Sequence, residues 1–360
     1  MDFAPTEEQA AAQQLAARIF GDLSTHDRLA QAGTGTDAEL WKELCAAGLP
    51  GAVEETGLLG LVLVLEEQGR TTAQVPFASS CVYGLLAVAG HGTAEQRERL
   101  LPPLRDGTAV AAGALAAAAA VHADPERGLS GTVPLVPWLR EATHVLVAAV
   151  DRSLWIVRTA DAGVLTEPVE TTAPWSAGRL VLDGAAGERL GGEAGDRPGG
   201  EAGERLGGAQ AYEDVLAMAR TAFAGLQAGV CAGAVARAVE HTGTREQFGR
   251  PLSTKQGVLL RAADAHMDTE AIRVTAYEAA WRHDGALPYA TQALTAAWWA
   301  SEAGKRVVHA AQHLHGGTGA DLGHPVHRHF LWGRQLDAYL GCGSEVLQEL
   351  GGLLVKEGPQ

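Results

Sequence analysis

From Ala209 onward, apolar residues recur at helical spacing through three long runs: YEDVLAMARTAFAGLQAGVCAGAVARAVEHTG, QGVLLRAADAHMDTEAIRVTAYEAAWRH and YATQALTAAWWASEAGKRVVHAAQHLHGG. Each is closed by Gly or Pro punctuation, and periodic segments of that length can bury their apolar faces only against one another. The first hundred residues follow the same rule. TEEQAAAQQLAARIF sets Thr6 ahead of Glu7 and Glu8 and then spaces its apolar residues for a helix, while DAELWKELCAAGLPG ends on Gly48 and Pro50. Between about Val110 and Leu182 the period changes to short runs such as HVLVAAV and SLWIVRT, bounded by Asp, Pro and Gly, which read as strands. The expectation is a mainly α chain with a central β domain: helices over 1–108, strands over 109–186 and a helical bundle over 211–360.

Residues 187–210 stand apart. GERLGGEA, GDRPGGEA and GERLGGAQ are three tandem eight-residue units, rich in Gly and charge. A unit so short and polar cannot build a repeat core, so the segment is expected to be a mobile surface linker between the β domain and the last helices.

Charge and cysteine usage exclude several function classes. Lys plus Arg number 28 against 43 Asp plus Glu, a net charge of −15, which disfavours nucleic acid and anionic membrane as partners. Cys45, Cys81, Cys231 and Cys342 are scattered without a CxxC pair, as suits buried thiols in a reducing compartment. The start MDFAPTEEQ has no basic region followed by an apolar one, and AVAAGALAAAAAV at 109–121 is too short and Ala-rich to span a bilayer. The chain is therefore expected to be cytoplasmic, with no membrane partner.

The densest local chemistry lies in GTREQFGRPLSTKQ, Gly243 to Gln256. An arginine that can fork onto phosphate and an aromatic ring that can cover a base stand beside a Gly and a Pro. The residues alone favour a plain helix hairpin in which Gly249 and Pro251 turn, Phe248 packs and Arg245 is solvated. The histidines at 309, 313, 315, 324, 327 and 329 form a tract that could suggest metal, but it lacks acidic or thiol ligands at suitable spacing, and no metal site is expected.

These stretches, in this order, resemble the acyl-CoA dehydrogenases along nearly the whole chain. MDFAPTEEQ, LWKELCAAGLPG and LEEQGR carry the resemblance in the first domain and LPPLRDG before the strands. GTREQFGRPLSTKQ and HLHGGTGADLGHPVHRHF carry it in the last domain. The resemblance implies an N-terminal helical domain, a small β-barrel-like domain and a C-terminal four-helix bundle. It also implies FAD-dependent α,β-desaturation of an acyl-CoA thioester: a glutamate removes the α proton and the β hydrogen leaves as hydride to the flavin. An α proton beside a thioester is weakly acidic, so such chemistry needs a desolvated carboxylate and hydrogen bonds to the carbonyl oxygen. In the family the QFG corner and the glycine turn reach across a subunit interface to the cofactor. Carried over, the FAD contacts are Arg245, Gln247, Phe248, Gln256, His313, Gly316 and Gly317, with His313 standing where glutamine is usual.

The sequence departs from the family where the chemistry is done. The two positions that carry the catalytic glutamate are occupied by Leu340, in DAYLGCGSE, and by Ala219, in LAMARTAF, and neither can accept a proton. Arg220 matches a basic residue common in the family. Glu213, Asp214 and Glu345 are the nearest carboxylates. The loop that contacts the flavin ring is replaced by AAAAAVHAD, with no hydroxyl before Ser130, and PLVPWLREA replaces the strand that should present Trp and Thr, leaving Trp138 as a candidate equivalent.

The resemblance is closest to actinobacterial enzymes built from two unlike subunits for steroid side-chain degradation. It implies a second, catalytic acyl-CoA dehydrogenase subunit, an acyl-CoA substrate in the complex and a flavin-linked electron acceptor. Two other readings stay open: a self-sufficient homotetramer with a displaced base, and a flavin-free scaffold or regulatory homologue.

Overall fold

The computed structural model describes residues 3–115, 121–192 and 208–357. The chain starts with α1 (Glu7–Leu23), α2 (His26–Ala32), α3 (Ala38–Ala46) and α4 (Leu49–Thr71). Next, α5 (Phe77–Ser79) runs through a π-helical stretch, Ser80–Leu86, into α6 (Ala87–His91), and α7 (Ala94–Arg105) follows. Thr6 opens α1 with a reciprocal capping box: its hydroxyl accepts from the Gln9 amide while the Gln9 side chain accepts from the Thr6 amide.

The 23 residues of α4 are broken at Gly57, whose φ of 71° is easy only for glycine. The restarted half is capped from across the molecule, because the Leu58 and Leu59 amides donate to the two carboxylate oxygens of Asp284 at 2.8 and 2.9 Å. A negative charge suits a helix N-terminus, and a Cβ at position 57 would lie 2.6 Å from Asp284 Oδ1.

The strands build two four-stranded sheets. One is ordered β1 (Ala111–Ala114), β4 (His144–Ala148), β5 (Leu154–Arg158), β8 (Glu188–Arg189); the other β2 (Val121–Asp124), β3 (Gly128–Val136), β7 (Gly178–Ala185), β6 (Val164–Pro168). Among the described residues only the β1–β4 pairing is parallel. Val133, Val145, Val147, Val157, Leu180 and Leu182 are buried between the sheets in a core of their own.

The strand region outruns the expected boundary at 186. Glu188 and Arg189 pair with Ile156 and Trp155, and Leu190 is buried, so the first repeat unit begins as sheet rather than as linker. Backbone pairing to β5 outweighs the polar composition there. Residues 193–207, the greater part of the repeats, lie outside the described residues.

The last part of the chain is helical, as its periodicity predicts: α8 (Ala209–Thr244), α9 (Gln256–Asp284), α10 (Ala290–His315), α11 (Val326–Leu336) and α12 (Gly343–Glu357). The most apolar window of α8 is 72% buried, among α4, α9 and α10. Its small residues let backbones meet: a Cβ on Gly229 would lie 2.1 Å from the Glu66 carbonyl oxygen. Glu66 is itself buried, and both its oxygens accept from Arg273 Nε on α9 at 3.1 Å. Desolvation raises its pKa despite that pairing. The architecture is thus mainly helical with a central β region.

Candidate functional site

At the end of α8 the chain makes a two-residue hairpin. β9 (Glu246–Gln247) pairs antiparallel with β10 (Arg250–Pro251), leaving Phe248 and Gly249 as the loop, with φ of 56° and 74°. Two positive φ values are what a type I′ turn requires. Gly249 adopts that conformation freely, whereas for a residue with a side chain it costs on the order of 1–3 kcal/mol. The strain is not repaid by burial. Phe248 is 92% exposed, and Lys255 Nζ lies 4.6 Å from its ring centroid. Of the plain-hairpin alternative, the turn at Gly249 and the solvated Arg245 are present, while Phe248 does not pack within this chain.

Arg245 is the exposed C-cap of α8, and its carbonyl accepts from the Leu252 amide at 2.9 Å. Gln247 is exposed on β9 and Gln256 is exposed as the first residue of α9. Among the described residues Arg245, Arg250 and Lys255 have no carboxylate partner, whereas Arg28, Arg70, Arg220, Arg273 and Arg306 are all paired. On a chain of net charge −15 this corner is a local concentration of free cations beside an open ring.

The glycine turn is the second exposed element. α10 ends on Gly316, with φ of 63°, and Gly317 follows; both are exposed, with no heavy atom within 4 Å of where a Cβ would stand. His313 is exposed on the last turn of α10. His315 points inward, stacks on His241 of α8 at 4.6 Å and meets His324 edge-on at 5.2 Å. A column of imidazoles therefore joins the end of α8, which carries the hairpin, to the glycine turn. Burial, more than any neighbouring charge, holds all three rings below the ordinary histidine pKa, so they are uncharged near neutrality. Among the described residues no group of three or more His, Cys, Asp or Glu is placed to hold a metal ion.

The two positions to which the resemblance assigns the base differ in setting. Ala219 is fully buried inside α8, and Leu340 lines a cavity of about 690 Å3 between α8, the start of α10 and α12. The nearby carboxylates are all engaged. Glu213 accepts from Arg152, and Glu345 Oε2 accepts from the Cys342 amide at the head of α12. Asp214 accepts from Tyr289 and pairs with the buried His91 at 2.8 Å. Burial pushes the Asp214 carboxyl up, but these partners outweigh it and leave the group below the usual range, the wrong direction for a base near neutrality. A fourth carboxylate, Glu349, escapes sequence reasoning because it is one of many charges on α12. Its two oxygens take both terminal nitrogens of Arg220, at 2.8 and 2.7 Å.

Sequence reasoning also misses an aromatic array between the sheets and the helices. Trp138 sits just past β3, 2% exposed, and stacks on Trp175 at 6.1 Å. Trp175 meets Trp332 of α11 at 5.5 Å and Tyr339 at 6.2 Å. Tyr339 packs edge-on against Phe223 of α8 at 4.8 Å, and its hydroxyl lies 3.0 Å from that of Tyr83, which the π-helical stretch presents. Of the polar groups expected near here, Ser130 spends its hydroxyl accepting from the Gly184 amide, and residues 116–120 of AAAAAVHAD lie outside the described residues. The available signal was the eight tryptophans, but their convergence is a long-range property.

Against known proteins, residues 6–108 match the acyl-CoA dehydrogenase N-terminal domain and residues 207–350 the acyl-CoA dehydrogenase C-terminal domain. The acyl-CoA dehydrogenase FadE27 of Mycobacterium tuberculosis is 33% identical, over 98% of each chain. Among solved structures, a variant of the Tcur3481–Tcur3483 steroid ACAD is 39% identical with a TM-score of 0.89, covering 98% of both chains. The ChsE4–ChsE5 complex from Mycobacterium tuberculosis is 30% identical with a TM-score of 0.89, covering 100% of both.

Proposed function

Because the chain belongs to the acyl-CoA dehydrogenase family, we propose that it is the non-catalytic subunit of a heteromeric FAD-dependent acyl-CoA dehydrogenase. In this reading the complex desaturates a sterol-derived acyl-CoA at the α,β position, and this chain completes an FAD site seated mainly on a catalytic partner. The likeness to the Tcur3481–Tcur3483 steroid ACAD and to the ChsE4–ChsE5 complex supports the assembly. The observation that carries the reading is the asymmetry between the two halves of the site: the outward hairpin is open and cationic, while the inward half has no base and is filled.

The inward half does not fit a flavin ring. Trp138, the candidate equivalent of the tryptophan that the resemblance puts beside the flavin ring, is packed with Trp175 and Trp332 between the sheets and α11, the three being 2%, 1% and 0% exposed. Leu340 and Ala219 offer no proton acceptor. The outward half fits the adenosine diphosphate part of FAD: Phe248 supplies a free aromatic face, Arg245 and Arg250 supply unpaired guanidinium donors, and the bare Gly316–Gly317 backbone leaves room for close approach. FAD supplies the hydride-accepting chemistry when bound. The role of this chain is to hold the cofactor's far end, so that the partner's carboxylate and flavin meet the substrate in register.

The test is co-expression with a second acyl-CoA dehydrogenase chain that carries the catalytic glutamate. The complex should be yellow and reduce a dye with acyl-CoA, and the single chain should do neither. Arg245→Ala should lower flavin content of the complex by about tenfold, the loss expected of a charge-assisted hydrogen bond. A yellow, active single chain would sink the proposal.

A further inference from the structure

The segment 316–323 is strung between two rings of the imidazole column, His315 before it and His324 after it. It holds Gly316, Gly317, Gly319 and Gly323, and all of it except Gly319 is exposed, Leu322 to 76%. The Gly319 carbonyl accepts from Gln312 at 3.2 Å. A glycine-rich segment that buries so little loses much chain entropy on ordering and gains little packing in return, so its place is set mainly at its two ends.

Both ends are fastened by imidazole. His315 lies over His241 of α8 with the ring planes 25° apart, and His324 closes the far end against His315. The hydrogen bonds fix where each proton sits. The Ala311 carbonyl, 2.7 Å from His315 Nδ1, can only accept, so that nitrogen carries the hydrogen and Nε2 is bare. His324 Nδ1 accepts from the Val326 amide at 3.2 Å, so its hydrogen is on Nε2, and a further proton would have to take the nitrogen that caps the start of α11. The charges facing the column mostly oppose a cation there: Arg237 and Arg245 from α8 and His26 from α2, with Asp321 of the loop acting the other way. Stacked imidazolium rings also repel one another, so the closed column refuses protons that separated, hydrated rings accept.

We propose that the column is a proton-operated clasp: uncharged, it holds the glycine turn against the end of α8, and on acidification the charged rings part and free residues 316–323 from α8. The opened form takes up protons below the ordinary histidine value of 6.5 that the closed form refuses, so the clasp is shut above that pH and loosens as pH falls. It operates in the chain by itself. In the assembly proposed above it also governs when the far end of the cofactor is let go, and only that consequence rests on the assembly.

The experiment is amide exchange of the purified chain, corrected for the intrinsic rate at each pH, from about pH 7.5 to about 5.5, the interval in which a histidine changes charge. Exchange across 316–324 should rise by about tenfold per pH unit for each proton taken up on opening, while the middle of α8 stays protected. His241→Phe keeps a flat ring in the stack and takes no proton, and His324→Asn keeps an oxygen acceptor for the Val326 amide; the double variant should cut the rise about tenfold or more. Ring-proton NMR of the unaltered chain needs no substitution: the three imidazoles should titrate below the ordinary histidine value, over the same interval as the exchange. A corrected rate that does not change with pH, a rise spread evenly over the whole chain, an undiminished rise in the double variant, or rings that titrate at the ordinary value would each overturn the proposal.

Discussion

Lys255 Nζ stands 4.6 Å over the ring of Phe248, across a turn in which Phe248 itself has φ of 56°. The chain thus holds an aromatic side chain in a conformation that favours glycine and gains no burial from it. Phe248→Gly should relieve the strain, so the unfolding free energy of the isolated chain, read from denaturant titration, should hold or rise by up to about 1 kcal/mol. In the co-expressed complex the same change should lower flavin retention, measured by absorbance after gel filtration. A variant that loses stability and keeps its flavin would show the ring to be structural.

The Asp284 carboxylate that receives the Leu58 and Leu59 amides predicts a second pair of outcomes. Asp284→Ala leaves two helix-start donors unpaired and should cost about 1–2 kcal/mol in urea unfolding. Gly57→Ala should cost more, because its Cβ would meet Asp284 Oδ1 at 2.6 Å at a φ of 71°. If Asp284→Ala were neutral, the restarted half of α4 would not depend on this cap.

What could be read from the sequence was what local pattern encodes. Thr6, the helical periods after Ala209, the strand character of HVLVAAV and the turn at Phe248–Gly249 are each specified by neighbours a few residues away. The misses were of another kind. Gly187–Leu190 looked like linker because its composition is polar, and only pairing with Trp155 and Ile156 makes it sheet. The Arg220–Glu349 fork joins residues 129 positions apart, and the Tyr83–Tyr339 contact spans 256. No window of sequence holds both members of such a pair.

Acid should weaken the fold in a defined interval. His329 is buried, and since the Arg70 carbonyl 3.0 Å away can only accept, its Nε2 carries the hydrogen. Burial lowers its pKa from 6.5 to about 4. The unfolded chain takes up a proton below pH 6.5 that the native chain refuses until about 4. Stability is therefore complete above 6.5 and is lost as pH falls toward 4, by as much as about 3 kcal/mol for this residue. His241, His315 and His324 are shifted in the same direction and steepen the fall. Urea midpoints from pH 7.5 to 4.5 (about the span of this titration) read the slope, and His329→Asn should flatten part of it. A midpoint that rose on acidification would contradict the assignment.

Under the proposed non-catalytic role, a carboxylate placed at Leu340 should not confer the reaction. Leu340→Glu would place an acid in the cavity, but Arg220 and Glu349 already form a neutralised pair there, so a new carboxylate is drawn toward the guanidinium rather than left free to accept a proton. The aromatic array is the larger obstacle. Trp175 contacts Trp138, Trp332 and Tyr339 at 5.5–6.2 Å and its indole is 1% exposed, so a planar ring seated beside it would have to displace core side chains. Trp175→Ala would open space only at about 3–5 kcal/mol of stability. The purified Leu340→Glu chain should therefore stay colourless and leave acyl-CoA-dependent dye reduction at background, while thermal melting confirms that it folds. Measurable turnover by that variant alone would mean that the chain holds its own flavin, and that only the base, and not the whole inward half of the site, had been lost.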